Sequence, residues 1–229
     1  MYVPRCVPSE HSDEKNKMTL CPPKNNFRTQ IDILKRGKYM KSGNIMIVGV
    51  GGQGSLLASK LLGYLLLTEG FDVKVSEVHG MSQRGGSVVT YVKFGEKVAS
   101  PVIDEGEADF IVSFEQLEAA RWLKYLKPDG HIVTSIQKID PMPVIIGAAE
   151  YPEGLIEKMK DTGAAVDALD CLSLAHEAGS SKAVNVVLIG RLSHYFDIPE
   201  ESWIKAIEHI VPEKFIELNK KAFALGRNA

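Results

Sequence analysis

The sequence has little cysteine, no long apolar run and no apolar leader. Its 229 residues include three cysteines, Cys6, Cys21 and Cys171, and no CxxC pair. Because an iron–sulfur cluster takes four cysteine ligands, we expect this chain alone to hold no cluster, and no disulfide framework either. The longest apolar block, Leu61–Leu67, is far shorter than the roughly 18 residues of a membrane span. The N-terminus lacks the apolar core of a signal peptide. We therefore expect a cytoplasmic chain with no membrane partner.

A concentrated basic surface is also lacking. The formal net charge is -2, but residues 1–41 carry +5 and the remainder carries -7. An acidic body argues against nucleic acid as a partner, because phosphate binding needs a basic face. Residues 1–41 also hold four of the eleven prolines and show little periodicity. We interpret them as a disordered N-terminal extension that precedes one domain over residues 42–229.

Short β-branched runs alternate with helical patterns from residue 44 onward. The pattern predicts strands over 45–50, 73–77, 87–94, 108–114, 131–136, 144–147 and 165–169, and helices over 53–69, 115–126, 152–160, 183–195, 200–210 and 213–225. Alternation of this kind is typical of an α/β fold with a doubly wound, Rossmann-like and mostly parallel sheet. The run 87–94 resembles an antiparallel strand and makes the sheet mixed. We expect the sheet core over 42–170 and a mainly helical section over 171–229.

A glycine-rich loop joins the first strand to the first helix. Its sequence, GVGGQG, matches the pattern GxGxxG and contains Gly49, Gly51, Gly52, Gln53 and Gly54. Three interpretations stay open at this point. The glycines can simply allow a tight strand-to-helix turn, or the helix N-terminus can bind a phosphate-bearing ligand. The third is an NAD or FAD site, with an acidic residue at the end of the second strand (Glu77) on the ribose.

The segment HGMSQRGG follows the second strand and is the most informative stretch of the chain. It places His79, Gln83 and Arg84 among the glycines Gly80, Gly85 and Gly86. One interpretation is a turn whose Arg84 is solvated or pairs with a carboxylate. The other is a surface that docks a partner or an anionic cofactor beside the glycine loop, with Arg84 as a forked donor. His79 and Arg84 are the candidate catalytic residues of the segment, but the sequence assigns no specific catalytic role to either. We predict no metal site.

Several motifs together resemble one family. GVGGQG, then EVHGMSQRGGSV about 23 residues on, then SPVID, ADFIVSFEQLEA, NVVLIGRL and ELNKKAFALG occur in that order. This combination resembles the gamma-type domain of the 2-oxoacid:ferredoxin oxidoreductases, in particular the small (beta) subunit of the indolepyruvate enzymes. The resemblance covers residues 43–227, and the N-terminal extension departs from it.

The resemblance implies a subunit that is inactive alone. Members of the family decarboxylate a 2-oxoacid on thiamine diphosphate with Mg²⁺, pass electrons through iron–sulfur clusters to ferredoxin, and release an acyl-coenzyme A. In the indolepyruvate enzymes those centres lie on a large (alpha) subunit, so this chain is expected to bind no cofactor by itself. The glycine loop and the HGMSQRGG residues are then expected to meet the large subunit near its active site or to help receive coenzyme A.

Two other functions remain alternatives at this stage. One is a free-standing dinucleotide-binding oxidoreductase, and the other is an assembly module that pairs with itself when isolated. Two single residues complete the predictions. Cys171 is expected to be a buried small residue, and Asn185 is a helical residue that could face the central site.

Overall fold

The computed structural model describes residues 41–77 and 85–229. The predicted N-terminal extension lies outside the described residues, apart from Lys41. So do His79, Gly80, Gln83 and Arg84 of the HGMSQRGG segment.

A six-stranded sheet forms the centre of the described chain, in the order β2-β3-β1-β4-β5-β6. The strands are β1 (Gly43–Val50), β2 (Asp72–Glu77), β3 (Ser87–Gly95), β4 (Ala108–Ser113), β5 (Leu126–Ser135) and β6 (Ala165–Leu169). The pairs β1–β4, β4–β5 and β5–β6 are parallel, whereas β3 runs antiparallel to both β1 and β2. The predicted mixed, mostly parallel sheet is therefore confirmed.

Helices cover both faces of the sheet. They are α1 (Ser55–Thr68), α2 (Gln116–Trp122), α3 (Met142–Ile145), α4 (Leu155–Asp161), α5 (Cys171–Ala178), α6 (Val184–Leu192), α7 (Glu200–Ile210) and α8 (Ile216–Asn228). Alternation along β1 sends Ile45 and Ile47 into a larger core with α1 and α5–α8. Met46 and Val48 face a smaller core with α2 and α4. The doubly wound arrangement and the helical C-terminal section are both confirmed.

The strand predicted over 144–147 is wrong. The segment instead forms the one-turn helix α3, in which the Pro141 carbonyl accepts hydrogen bonds from the amides of Val144 (2.9 Å) and Ile145 (3.1 Å). Pro141 and Pro143 have no amide to give to a sheet ladder, and their fixed φ suits the first turn of a helix. The β-branched residues alone suggested a strand, and the two prolines decide against it.

The helix predicted over 115–126 is shorter than expected, and the strand after it is longer. Helix α2 ends at Trp122, a 3₁₀ turn covers Leu123–Tyr125, and β5 begins at Leu126, five residues before the predicted start. The early part of β5 lies along β4, where a side chain on Gly130 would come within 2.9 Å of the Ala108 carbonyl. Pairing with β4 therefore extends the strand through residues whose local propensity favours a turn.

Helix α5 lies in the section predicted to be mainly helical, but the sequence pattern gave it no bounds of its own. Asp170 caps its start, since its carboxylate accepts hydrogen bonds from the Ser173 amide (3.0 Å) and hydroxyl (2.6 Å), and Gly179 with φ +117° follows its end. An aspartate three residues before a serine, with glycine after the helix, is a recognisable start and stop pattern. The strongly apolar pattern over 183–195 led us to predict that the first helix of this section begins at residue 183, after α5.

Helices α6 and α8 cross in close contact at two glycines. A β-carbon on Gly190 would lie 2.2 Å from the Phe223 carbonyl oxygen, and one on Gly226 would lie 1.9 Å from the Val187 carbonyl oxygen. Those distances are far below van der Waals contact, so both backbones approach each other only because neither residue has a side chain. The motifs NVVLIGRL and ELNKKAFALG thus supply the two faces of one helix crossing.

Candidate functional site

The glycine loop lies at the carboxyl edge of the sheet, the edge at which the parallel strands end. It turns directly from β1 into α1, and its backbone pairs with the end of the HGMSQRGG segment. The Gly51 amide donates to the Gly86 carbonyl at 2.8 Å, and the Gly85 amide donates to the Gly51 carbonyl at 3.2 Å. The structure therefore brings the described residues of the two glycine-rich segments into direct contact.

The Gln53 side chain occupies the space between the ends of β1 and β4. Its Oε1 accepts the Val50 amide at 2.7 Å, and its Nε2 donates to the Phe114 carbonyl at 3.1 Å. A β-carbon on Gly49 would lie 2.9 Å from both Gln53 Oε1 and the Phe114 ring. Gly49 is therefore needed so that the chain can pack against itself, and Gln53 closes the loop instead of facing a ligand.

Gly54 is held by a residue of the helical section. The Asn185 amide group donates to the Gly54 carbonyl at 3.2 Å, and a β-carbon on Gly54 would lie 2.4 Å from Asn185 Nδ2. Gly54 also has φ +90°, which glycine adopts without strain. Gly52, with φ +102°, is exposed and has nothing within 4 Å of its β-carbon position. Of these loop glycines, Gly52 is the one open to a partner.

The position of Glu77 argues against a dinucleotide site. In the Rossmann fingerprint the acidic residue ends the strand next to the glycine loop. Here β3 lies between β1 and β2, so Glu77 is two strand spacings, about 10 Å, away from the end of β1. Its carboxylate also accepts a hydrogen bond of 2.6 Å from the Ser59 hydroxyl of α1. The NAD or FAD alternative is therefore not supported.

Two buried carboxyl groups lie beneath this edge, and sequence reasoning did not find them. Glu115, which is 1% exposed, begins α2 and accepts the Glu118 amide at 2.9 Å. Its other partners are the Ile139 amide (3.3 Å) and the Tyr151 hydroxyl. Burial, followed by the hydrogen bond to Glu115, raises the pKa of Tyr151. Glu115 therefore fixes both ends of the segment 139–151 to the start of α2.

Glu118 connects α2 to the first residue of β3. It is 3% exposed, accepts from the Ser87 hydroxyl, and pairs with Arg121 at 3.1 Å. Burial raises the pKa of the Glu118 carboxyl above its ordinary value of 4.5. Ser87 directly follows Gly86, so this carboxyl holds the start of β3 next to the two glycines that pair with the loop. No local sequence pattern signals this contact, because Ser87 and Glu118 are 31 residues apart along the chain.

We expect the Glu118→Gln variant to gain thermal stability relative to the wild type as the pH rises above 4.5. The folded-state pKa is raised, so the unfolded chain ionises first and the wild type loses stability over this window. Well below pH 4.5 the carboxyl is protonated in both states and the stability difference no longer changes with pH. Unfolding temperatures of both proteins between pH 4 and pH 8 measure this. A difference that does not vary with pH would contradict the assignment.

Cys171 is fully buried at the start of α5, as expected from the sequence. Burial raises the pKa of its thiol to about 12. The buried thiol therefore stays protonated near neutral pH, and Cys171 packs in the larger core. In the described ranges, no group of three or more metal-ligating side chains comes together. Over the same ranges, no helix is both long enough and apolar enough to cross a membrane.

Comparison with known proteins matches this arrangement to one family. The sequence profile of the pyruvate ferredoxin/flavodoxin oxidoreductase family matches residues 44–229. Indolepyruvate oxidoreductase subunit IorB of Thermococcus kodakarensis is 47% identical over 197 residues, which cover 83% of this chain and 96% of that protein. The subunit of the same name from Pyrococcus horikoshii is 45% identical over an equal length.

A solved structure with the same fold is the gamma subunit of a keto/oxoacid ferredoxin oxidoreductase from Geobacter sulfurreducens. It superimposes with a TM-score of 0.60 at 22% identity, over 81% of this chain and 96% of that one. The family profile covers the sheet, the glycine loop and the helical section together, and the two relatives each align with 83% of the chain. The chain therefore belongs to the pyruvate ferredoxin/flavodoxin oxidoreductase family.

Proposed function

We propose that this chain is the small subunit of a cytoplasmic 2-oxoacid:ferredoxin oxidoreductase that acts on indolepyruvate or another aryl pyruvate. The complex would decarboxylate the oxoacid oxidatively, form an acyl-coenzyme A and transfer electrons to ferredoxin. The observation that carries the proposal is the 47% identity to an indolepyruvate oxidoreductase subunit over 96% of that subunit's length. The low cysteine content, three in 229 residues, supports a reducing compartment.

The cofactors of this reaction would lie on the large subunit. Thiamine diphosphate with Mg²⁺ would supply the decarboxylation chemistry, and iron–sulfur clusters would carry the electrons. This chain has three cysteines, fewer than the four ligands of a cluster, and the thiol of Cys171 is buried. The sequence also lacks the GDG…NN pattern of a thiamine diphosphate site. The residues of this chain therefore do not fit either group, and we propose that the isolated chain is inactive.

The role we assign to this chain is to complete the active site of its partner. The chain's own side chains fill the space beside Gly49 and Gly54, whereas the space beside Gly52 is open at the carboxyl edge. An open Gly52 between filled positions favours the docking of a polypeptide over a deep anion-binding pocket. Coenzyme A could still contact Gly52. The flanks of the HGMSQRGG segment, Glu77 and Gly85, lie at the same edge. We propose that His79, Gly80, Gln83 and Arg84 contact the large subunit near the reacting groups.

Reconstitution with the large subunit from the same organism tests the proposal. We expect no turnover of indolepyruvate by either purified chain, and turnover when the two are mixed anaerobically with thiamine diphosphate, Mg²⁺, coenzyme A and ferredoxin. The readouts are reduced ferredoxin and acyl-coenzyme A. Pyruvate and 2-oxoglutarate, assayed in parallel, report the substrate preference. An inactive mixture, or turnover by the small chain alone, would refute the assignment.

Calorimetry separates the proposal from the dinucleotide alternative. We expect NAD, NADP and FAD to give no heat of binding with the isolated chain at micromolar concentrations, because Glu77 is remote from the glycine loop. Micromolar binding of any of the three would restore the alternative. The mass of the isolated chain in solution would show in the same samples whether it pairs with itself.

A further inference from the structure

Exposed apolar side chains collect at the carboxyl edge. Nine large apolar side chains are exposed in the described part of the chain, and five of them lie at or beside this edge. These five are Leu56 (48% exposed), Ile136 (45%), Met142 (65%), Ile145 (66%) and Ile146 (68%). Single exposed apolar residues are ordinary, but a group of this kind marks an interaction surface.

Three of the five side chains belong to one ordered turn. Met142 and Ile145 lie on α3 and Ile146 directly follows it, and their i, i+3 and i+4 spacing puts them on one side of the turn. The turn is closed by its own backbone, since the Ile146 amide donates to the Met142 carbonyl at 3.1 Å. The three most exposed large apolar side chains in the described ranges are thus presented by an ordered backbone.

The buried carboxyl of Glu115 holds the turn in place. The Ile139 amide (3.3 Å) and the Tyr151 hydroxyl both donate to Glu115 Oε1, so the two ends of the segment meet at one atom. Between them, residues 140–150 project from the sheet edge with α3 at their centre. We call this segment, residues 140–150, the apolar excursion.

The apolar excursion is continuous with the glycine loop. Gln53 donates to the carbonyl of Phe114, the residue next to Glu115. Gln116 donates to the Ile136 carbonyl at 2.9 Å, which joins α2 to the end of β5. The ends of β1 and β5 are two strand spacings apart, about 10 Å. A stable protein–protein interface typically buries about 800 Å² on each partner. An interface of that area centred on Gly52 therefore extends over the excursion as well.

We propose that the apolar excursion is the hydrophobic anchor by which this chain docks onto its large subunit. The proposal rests on the proposed function, which places the large subunit on the glycine loop. Because Met142, Ile145 and Ile146 are apolar, the anchor requires an apolar pocket on the large subunit that receives these three side chains. A second copy of this chain on the same edge would cover Gly52 and compete with the large subunit, so we assign the surface to the large subunit.

The test compares a charge placed on the excursion with the same charge placed elsewhere. The full-length chain carrying Ile145→Asp is expected to bind the large subunit at least about a hundredfold more weakly than wild type. Leu67→Asp is the matched control, because Leu67 is 57% exposed near the other end of α1. It should change the Kd by less than about threefold. Ile145→Leu keeps an apolar side chain and should retain binding.

The outcomes separate this inference from the proposed function. If wild type binds the large subunit and Ile145→Asp binds equally well, the anchor is refuted and the proposed function stands. If wild type does not bind the large subunit, both fail. If Ile145→Asp dissociates only a homodimer of the isolated chain, the surface serves self-association and the anchor is again refuted. Should Ile145→Asp unfold at a lower temperature than wild type, Ile146→Asp replaces it with the same expectations.

Discussion

Gly226→Ala is expected to destabilise the protein by roughly 3 kcal/mol or more. The added β-carbon would lie 1.9 Å from the Val187 carbonyl oxygen and 2.7 Å from its carbonyl carbon. Both are backbone atoms of α6, so no side-chain rotation relieves the overlap and the two helices have to separate. Separation removes contacts from Phe223, Leu188 and their neighbours in the larger core. Thermal unfolding should show a midpoint lower by roughly 6–12 °C for a domain of this size.

Gly63→Ala is the matched control for this prediction. Gly63 is also a buried helical glycine, in α1, but its β-carbon would lie 3.6 Å from Val75, an ordinary contact. Alanine is a better helix former than glycine by about 0.5–1 kcal/mol, so this variant should be as stable as wild type or slightly more stable. Equal unfolding temperatures for Gly226→Ala and Gly63→Ala would show that α6 and α8 do not cross as closely as described.

Gly54→Ala is expected to cost about 2–4 kcal/mol, for two separate reasons. Its φ of +90° is unfavourable for any residue with a β-carbon, at about 1–2 kcal/mol. In addition, the β-carbon would lie 2.4 Å from Asn185 Nδ2. Denaturant unfolding measures the total, and we expect a lower midpoint with an unchanged slope.

A double-mutant cycle with Asn185→Ala separates the two contributions. That substitution removes the amide that meets Gly54, so the overlap is relieved while the backbone strain remains. Gly54→Ala should therefore cost less in the Asn185→Ala background than in wild type, by about 1 kcal/mol or more. Strictly additive effects would mean that Asn185 does not hold the glycine loop to α6.

Much of the fold was predictable because its strongest signals are local. The strands predicted over 45–50 and 165–169 are β1 and β6, and the helix predicted over 200–210 has the bounds of α7. The predictions failed where another part of the chain decides. Leu126–Gly130 joins β5 because β4 lies beside it, and the segment after Pro141 turns into α3 although its residues favour a strand.

The contact between the two glycine-rich segments was predictable from the sequence, and the side-chain contacts around it were less so. The two glycine-rich segments were expected to meet, and Gly51 bonds to Gly85 and Gly86. The sequence could not show that Gln53 fills the space beside Gly49. Nor could the sequence show that Glu115 accepts hydrogen bonds from Ile139 and Tyr151, because those partners lie more than 20 residues away along the chain.

The amino-acid sequence by itself determined the alternation of strands and helices, the family motifs and the shortage of cluster ligands, since each depends on residue identity and spacing. Only the tertiary structure decided that β3 separates β1 from β2 and so moves Glu77 away from the glycine loop. The tertiary structure also exposes Met142, Ile145 and Ile146 to solvent, on a segment whose first end is bound to the buried Glu115. Strand order and exposure depend on contacts between distant segments, and these form only when the whole chain has folded.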